Sequence, residues 1–233
     1  MEIIFNDDAL IAVNKPPGYF VHRSSLDYHA TKLVMPYLRN LLGHYVYPVH
    51  RLDRKTSGVL LLAKNPHVQS LMQKQFRERL IHKTYRAIVR GYTLDSGTID
   101  YPLLSEHGKM QEAVTHYSTL SRGEIQVSSG KFATSRYSLV EIQPETGRTH
   151  QIRKHFAHIF HPIIGDRPHG CNKQNRFFLE HFGMNTMLLH ANQLTFSHPE
   201  NGSLVVVAAH PQSEFVRMIS ALGLSESQVT VLR

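Results

Sequence analysis

The chain has 233 residues and carries 26 Lys and Arg against 18 Asp and Glu, a formal net charge of +8. Hydrophobic residues make up 41% and charged residues 19%, enough apolar surface to offset chain entropy, which excludes a disordered polyelectrolyte. The single cysteine, Cys171, excludes an intrachain disulfide framework and a cysteine-built zinc site.

In chain order, Glu2–Phe5 and Leu10–Asn14 flank the turn cluster Asn6-Asp7-Asp8 and read as a β-hairpin. Lys15-Pro16-Pro17-Gly18 breaks the second strand. Thr31–Leu42 has helical spacing of Leu33, Val34, Leu38, Leu41 and Leu42, with Pro36 against it. Val46–Val49 and Gly58–Lys64 read as strands around the polar stretch His50–Ser57. Asn65-Pro66 is an N-cap followed by Pro at the first helical position, so a helix is expected to about Arg79. Thr84–Arg90, Val114–Leu120 and Arg136–Ile142 are strand candidates, and Thr149–Phe160 is helical. Met187–Phe196 and Leu204–Ala208 form a hairpin around Asn201-Gly202, and Glu214–Leu222 is a last helix. Gly91–Met110, Gly123–Thr134 and Gly170–Asn185 read as loops or insertions. Local hairpins with scattered helices give an α+β fold with a mixed, largely antiparallel β-sheet. A rule of roughly 150 residues per domain leaves room for one large or two small domains.

The longest aliphatic run, Leu204–Ala209, is far below the roughly 18 residues of a membrane span, and the N-terminus shows no signal-like segment. The expectation is a cytoplasmic protein. The positive charge suits a polyanion such as nucleic acid, or marks a basic but inert surface.

Three segments have the residues for chemistry. In His50-Arg51-Leu52-Asp53-Arg54-Lys55-Thr56-Ser57, one carboxylate sits among cations that favour its charged form. Asp53 is then either a nucleophile or base at a strand edge, or a turn residue paired with a surface Arg. In Gly147-Arg148-Thr149-His150-Gln151-Ile152-Arg153-Lys154, spacings of three and four put His150, Arg153 and Lys154 on one helix face. That face is a solvated basic surface, or it offers a guanidinium to Asp53. In Lys83–Gly91, Tyr85 shares a sheet face with Lys83 and Ala87, where it stacks on a base or lies half-buried in a core. His155, His158 and His161 recur every three residues, but no Glu completes a His-Glu-x-x-His motif, so no metal site is assigned. Neither a phosphate-binding glycine loop nor a Gly-x-Ser-x-Gly elbow is present.

Together these segments resemble the RluA family of pseudouridine synthases. His50–Lys64 is similar to its H-R-L-D-x-x-T-S-G-[VL]-L motif, Lys83–Gly91 to its K-x-Y-x-A-x-V-x-G stretch, and Gly147–Arg153 to G-R-x-H-Q-[IL]-R. His161–Asp166, Leu189-His190-Ala191 and the opening Asp8–His22 match further landmarks. The resemblance implies the pseudouridine synthase catalytic fold as a single domain over 1–233 without an S4 RNA-binding domain. It implies uridine-to-pseudouridine isomerisation with no cofactor and no metal. It assigns Asp53 as the catalytic carboxylate, Tyr85 as the residue packing on the target base, and Arg153 as the basic partner of Asp53. Arg51 is the residue that enters the RNA helix, with His50, Arg54, Arg148 and His150 as further RNA contacts. Asn175-Arg176 and Glu180-His181-Phe182-Gly183 are similar to a subgroup acting on tRNA, which implies a tRNA substrate and the uridine at position 65; the sequence leaves the oligomeric state open, with a monomer as the default expectation.

Overall fold

The computed structural model describes residues 1–22 and 31–225. The chain divides into two compact units, residues 1–84 with 190–212 and residues 85–189 with 213–233. The strands β5 (His82–Arg90) and β11 (Leu189–Ser197) carry the chain from one to the other.

The first unit opens with the hairpin β1 (Glu2–Asn6) and β2 (Leu10–Lys15), and β2 pairs antiparallel with β4 (Ser57–Ala63). Asp7 closes the hairpin by accepting from the backbone N–H groups of Ala9 and Leu10. β4 takes the two-residue β3 (Tyr47–Pro48) near one end and β11 in parallel at the other, with His190 opposite Ser57 and Ala191 opposite Gly58. β12 (Leu204–Ala208) returns antiparallel on β11. Every residue of β2 and β4 is buried, and the apolar runs 10–13 and 59–63 suit strands covered on both faces. Helix α2 (Pro66–Arg77) begins where expected, with Asn65 Oδ1 accepting from Val68 N at 2.9 Å. It lays Val68 and Met72 on Val59, Leu61 and Ala63 of β4. Helix α1 is Val34–Leu42, three residues shorter at its start than the sequence pattern suggests. Pro36 falls in its first turn, where a missing N–H costs no intrahelical bond, so the helix survives it.

The second unit is an antiparallel run of β5, β10 (Ser135–Pro144), β9 (Val114–Ile125) and β6 (Ser96–Asp100). β10 is buried on both faces. Tyr137 and Leu139 meet α4 (Asn172–Phe182) and α5 (Ser213–Ala221) through Phe178, Phe215, Met218 and Ile219. Val140 and Ile142 meet α3 (Gln151–His158) through Ile152 and Phe156.

Three expectations change. Gly91–Met110 is not one loop: it contains β6 and the small hairpin of β7 (Leu103–Leu104) with β8 (Met110–Gln111). Gly170–Asn185 contains α4, hidden in the sequence by the polar start Asn172-Lys173-Gln174-Asn175-Arg176. Helix α3 starts at Gln151, because His150 is left-handed at φ 57° and cannot belong to the helix.

Candidate active site

In the first unit, Asp53 lies half-buried on the turn between β3 and β4, where its carbonyl accepts from Thr56 N at 3.1 Å. The turn is fastened on both flanks. Before it, Leu52 is buried, and His50 Nε2 accepts from Leu61 N at 3.0 Å while the ring stacks on Phe76. Burial pulls His50 down to about 4, against a raising backbone hydrogen bond at Arg51 and with help from the Lys83 charge. The imidazole at neutral pH is therefore an uncharged acceptor holding the turn to β4. After it, Ser57 Oγ meets His190 Nδ1 at 2.9 Å, and His190 Nε2 donates to Ala209 O at 3.0 Å.

The sequence reading missed Lys15. Its side chain is wholly buried, and Nζ donates to the carbonyls of Pro16 at 3.2 Å, Tyr19 at 3.0 Å and Arg54 at 3.2 Å. Gly18 N donates to the same Arg54 carbonyl at 2.7 Å, and the Arg54 guanidinium lies over the Phe20 ring. Burial lowers the Lys15 amine to about 7, and attraction to Asp53 opposes that. Three carbonyls match the three N–H bonds of an ammonium, so the charged form is the one these partners serve. The signal was available: a lysine between an apolar strand and Pro-Pro-Gly has no obvious solvent-facing reason to be there. Arg51 and Arg54 are exposed.

In the second unit, Tyr85 stands half-buried on β5 opposite Ile142 and packs against the cluster of Ala87, Val140 and Phe156. The shared face with Ala87 read from the alternation is thus correct. Arg153 is buried on α3, which overturns the solvated-face reading of that helix. Its Nε donates to Asp166 Oδ2 and its Nη2 to Asp166 Oδ1, each at 2.8 Å, a two-pronged pair with a fully buried carboxylate. Asp166 is the second residue missed by spacing, since it comes from a separate loop. That loop is fixed in turn: Asn175 accepts from Gly165 N at 2.9 Å and donates to Asp166 O at 2.7 Å.

His150 Nδ1 meets His169 Nε2 at 2.9 Å, and burial lowers His169 while Asp166 opposes. Arg148 is half-buried and donates from Nε to Glu112 O at 3.0 Å. Beneath it, Gln151 accepts from Thr146 Oγ1 and Arg148 N and donates to Val114 O and Thr115 Oγ1. His155 is a core residue, with Nδ1 on Thr115 Oγ1 and Nε2 on Tyr101 O. Among the described residues, no three His, Cys, Asp or Glu side chains are grouped to hold a metal ion.

Asp53 on its clamped turn, Tyr85 on β5 and Arg153 locked to Asp166 are the candidate catalytic groups, each held in place by its own unit. The chain belongs to the RNA pseudouridylate synthase family, whose model matches residues 9–158. The resemblance read from the sequence segments is therefore borne out. Over 97% of its length the chain is 44% identical to tRNA pseudouridine synthase C of Yersinia pestis, covering 92% of that protein. It is 46% identical to tRNA pseudouridine synthase C of Vibrio parahaemolyticus over 98% of both chains. The solved structure of human RNA pseudouridylate synthase domain containing 4 matches with a TM-score of 0.74 at 27% identity, covering 96% of this chain and 94% of that one. The α+β fold is that of this family, and the chain is an isomerase of the same class. No helix among the described residues is long and apolar enough to cross a membrane.

Proposed function

We propose that this enzyme converts uridine to pseudouridine in tRNA, at the position 65 uridine implied by its subgroup likeness, and that it works in the cytoplasm as a monomer with 1–233 as one catalytic domain. The reaction breaks the N1–C1′ bond and joins C1′ to C5, while C5 loses a proton and N1 gains one. Atoms and electrons balance without a cofactor or co-reactant. Asp53 supplies the carboxylate for C1′, the base or the sugar proton. Tyr85 packs on the uracil and keeps it bound between the two bond changes. Arg153 is the basic residue that the resemblance assigns to the reaction, and Asp166 fixes its guanidinium.

The uridine must leave its stack to be reached, at a cost of a few kcal/mol by order of magnitude, and Arg51 fills the gap it leaves. Arg54, Arg148 and His150 border the bound RNA, whereas His50, turned inward onto Leu61 and Phe76, fixes the turn instead of touching RNA. The observation that carries this reading is the clamped Asp53 turn, fixed by Lys15 and His50 on either side of exposed Arg51 and Arg54.

The test is Asp53→Asn, which keeps the shape and removes the charge. Pseudouridine formation in tRNA should fall at least about a thousandfold while tRNA binding persists. Activity within about tenfold of wild type would remove Asp53 from the chemistry. Mapping the product made from unmodified tRNA and from ribosomal RNA fragments decides the substrate, and modification confined to ribosomal RNA would refute the tRNA reading.

A further inference from the structure

The second unit holds a cavity of about 700 Å³ between the β9–β10 connection and the start of α4, and its residues are none of those assigned to catalysis. Four cationic side chains line it: Arg90, Lys131, Arg136 and Lys173, all exposed. Arg136 is already engaged, with Nε 3.4 Å from Glu124 and its guanidinium over the Tyr92 ring. Among the described residues, no carboxylate lies within 4.0 Å of Arg90, Lys131 or Lys173.

Lys173 stands in the first turn of α4, which has no acidic residue and no side-chain cap on its N–H groups. Cations at that end oppose the helix dipole, and nothing in the first turn of α4 offsets Lys173. The floor beneath them is fixed: Gln174 donates to Ser129 Oγ and accepts from Tyr137 OH, and Ser135 Oγ joins Ser129 Oγ at 2.6 Å. At the rim, the Phe132 ring is 77% exposed. An exposed ring beside unpaired cations on a rigid floor matches a nucleotide chain, which has phosphates and bases at neighbouring positions.

We propose that this cavity is a second RNA-binding site, with phosphates of the tRNA backbone on Lys131, Lys173 and Arg90 and a base on Phe132. It rests on the tRNA reading above for its partner. Each phosphate neutralised releases counterions, so the lysines should appear in the salt dependence of binding, whereas stacking on Phe132 should not.

The experiment measures tRNA binding to the full chain by fluorescence anisotropy between 50 and 200 mM salt, in the Asp53→Asn background so that no product forms. The Lys131→Gln/Lys173→Gln pair should raise Kd roughly tenfold at 100 mM and lower the log–log salt slope by about 1.5, the share of two phosphates. Each single change should give about half that loss of slope. Phe132→Ala should weaken binding several-fold at unchanged slope. All three side chains are exposed, so melting temperatures should stay at the parent value.

Unchanged Kd and slope in the double variant would overturn the proposal. So would uridine monophosphate binding that the double variant loses while its tRNA binding stays intact, since that describes a small-anion site. The tRNA reading fails separately, by absence of pseudouridine in tRNA treated with the wild-type enzyme. That outcome would leave a lysine-dependent RNA affinity standing.

Discussion

Lys15 combines full burial, three carbonyl partners and a proton affinity drawn down to about 7. The unfolded lysine keeps its proton to its ordinary value of 10.5, whereas the folded one releases it near 7. Between those values the unfolded state holds more protons, so stability rises with pH. The penalty of burying the charge is complete below pH 7 and fades toward pH 10.5. Chemical denaturation should therefore show a level difference between wild type and Lys15→Met below about pH 7, with wild type then gaining on the variant by about 1.4 kcal/mol per pH unit from there to pH 10. A pH-independent difference would show that the lysine does not titrate there. Arg153 raises a different issue. Arg153→Met would strand the buried Asp166 carboxylate, at a cost of roughly 3–5 kcal/mol. Adding Asp166→Asn should restore most of that stability. If Arg153 serves the chemistry, the double variant should still make no pseudouridine. Recovery of turnover along with stability would confine Arg153 to a structural role.

At the scale of elements, the strand pair that holds the Asp53 turn depends on Gly58. Its φ is 106°, and a Cβ there would lie 2.1 Å from the Ala191 carbonyl oxygen. Gly58→Ala must both strain the backbone and push β11 off β4, so urea melts should show a loss of roughly 3 kcal/mol or more. Elements with a local signature were legible in the sequence. Asn65-Pro66 announced α2, the Asn201-Gly202 turn announced the β11–β12 hairpin, and the alternation around Tyr85 announced β5. What escaped depended on distant partners. β6 lacks an apolar run because it is a strand by virtue of β9, and α4 buries only Gln174 and Phe178. The site divides along the same line. Asp53 and Tyr85 stood in readable motifs, while the Arg153–Asp166 pair is joined by a loop whose conformation no spacing encodes.

At the scale of the whole molecule, the +8 charge is dispersed over both units, and the residues proposed to touch RNA occur in each. The first unit is discontinuous: its residues 1–84 are completed by 190–212. Ser57 and His190, bonded beside the Asp53 turn, are 133 positions apart in the chain. A growing polypeptide therefore carries Asp53 out of the ribosome long before the strand that steadies its turn has been translated. Closing so long a loop is slow relative to forming local helices and hairpins. A nascent chain arrested after residue 189 should show residues 1–84 open to protease, and the released full-length chain should show them protected. The interrupted layout thus leaves the first unit incomplete until residues 190–212 have been made.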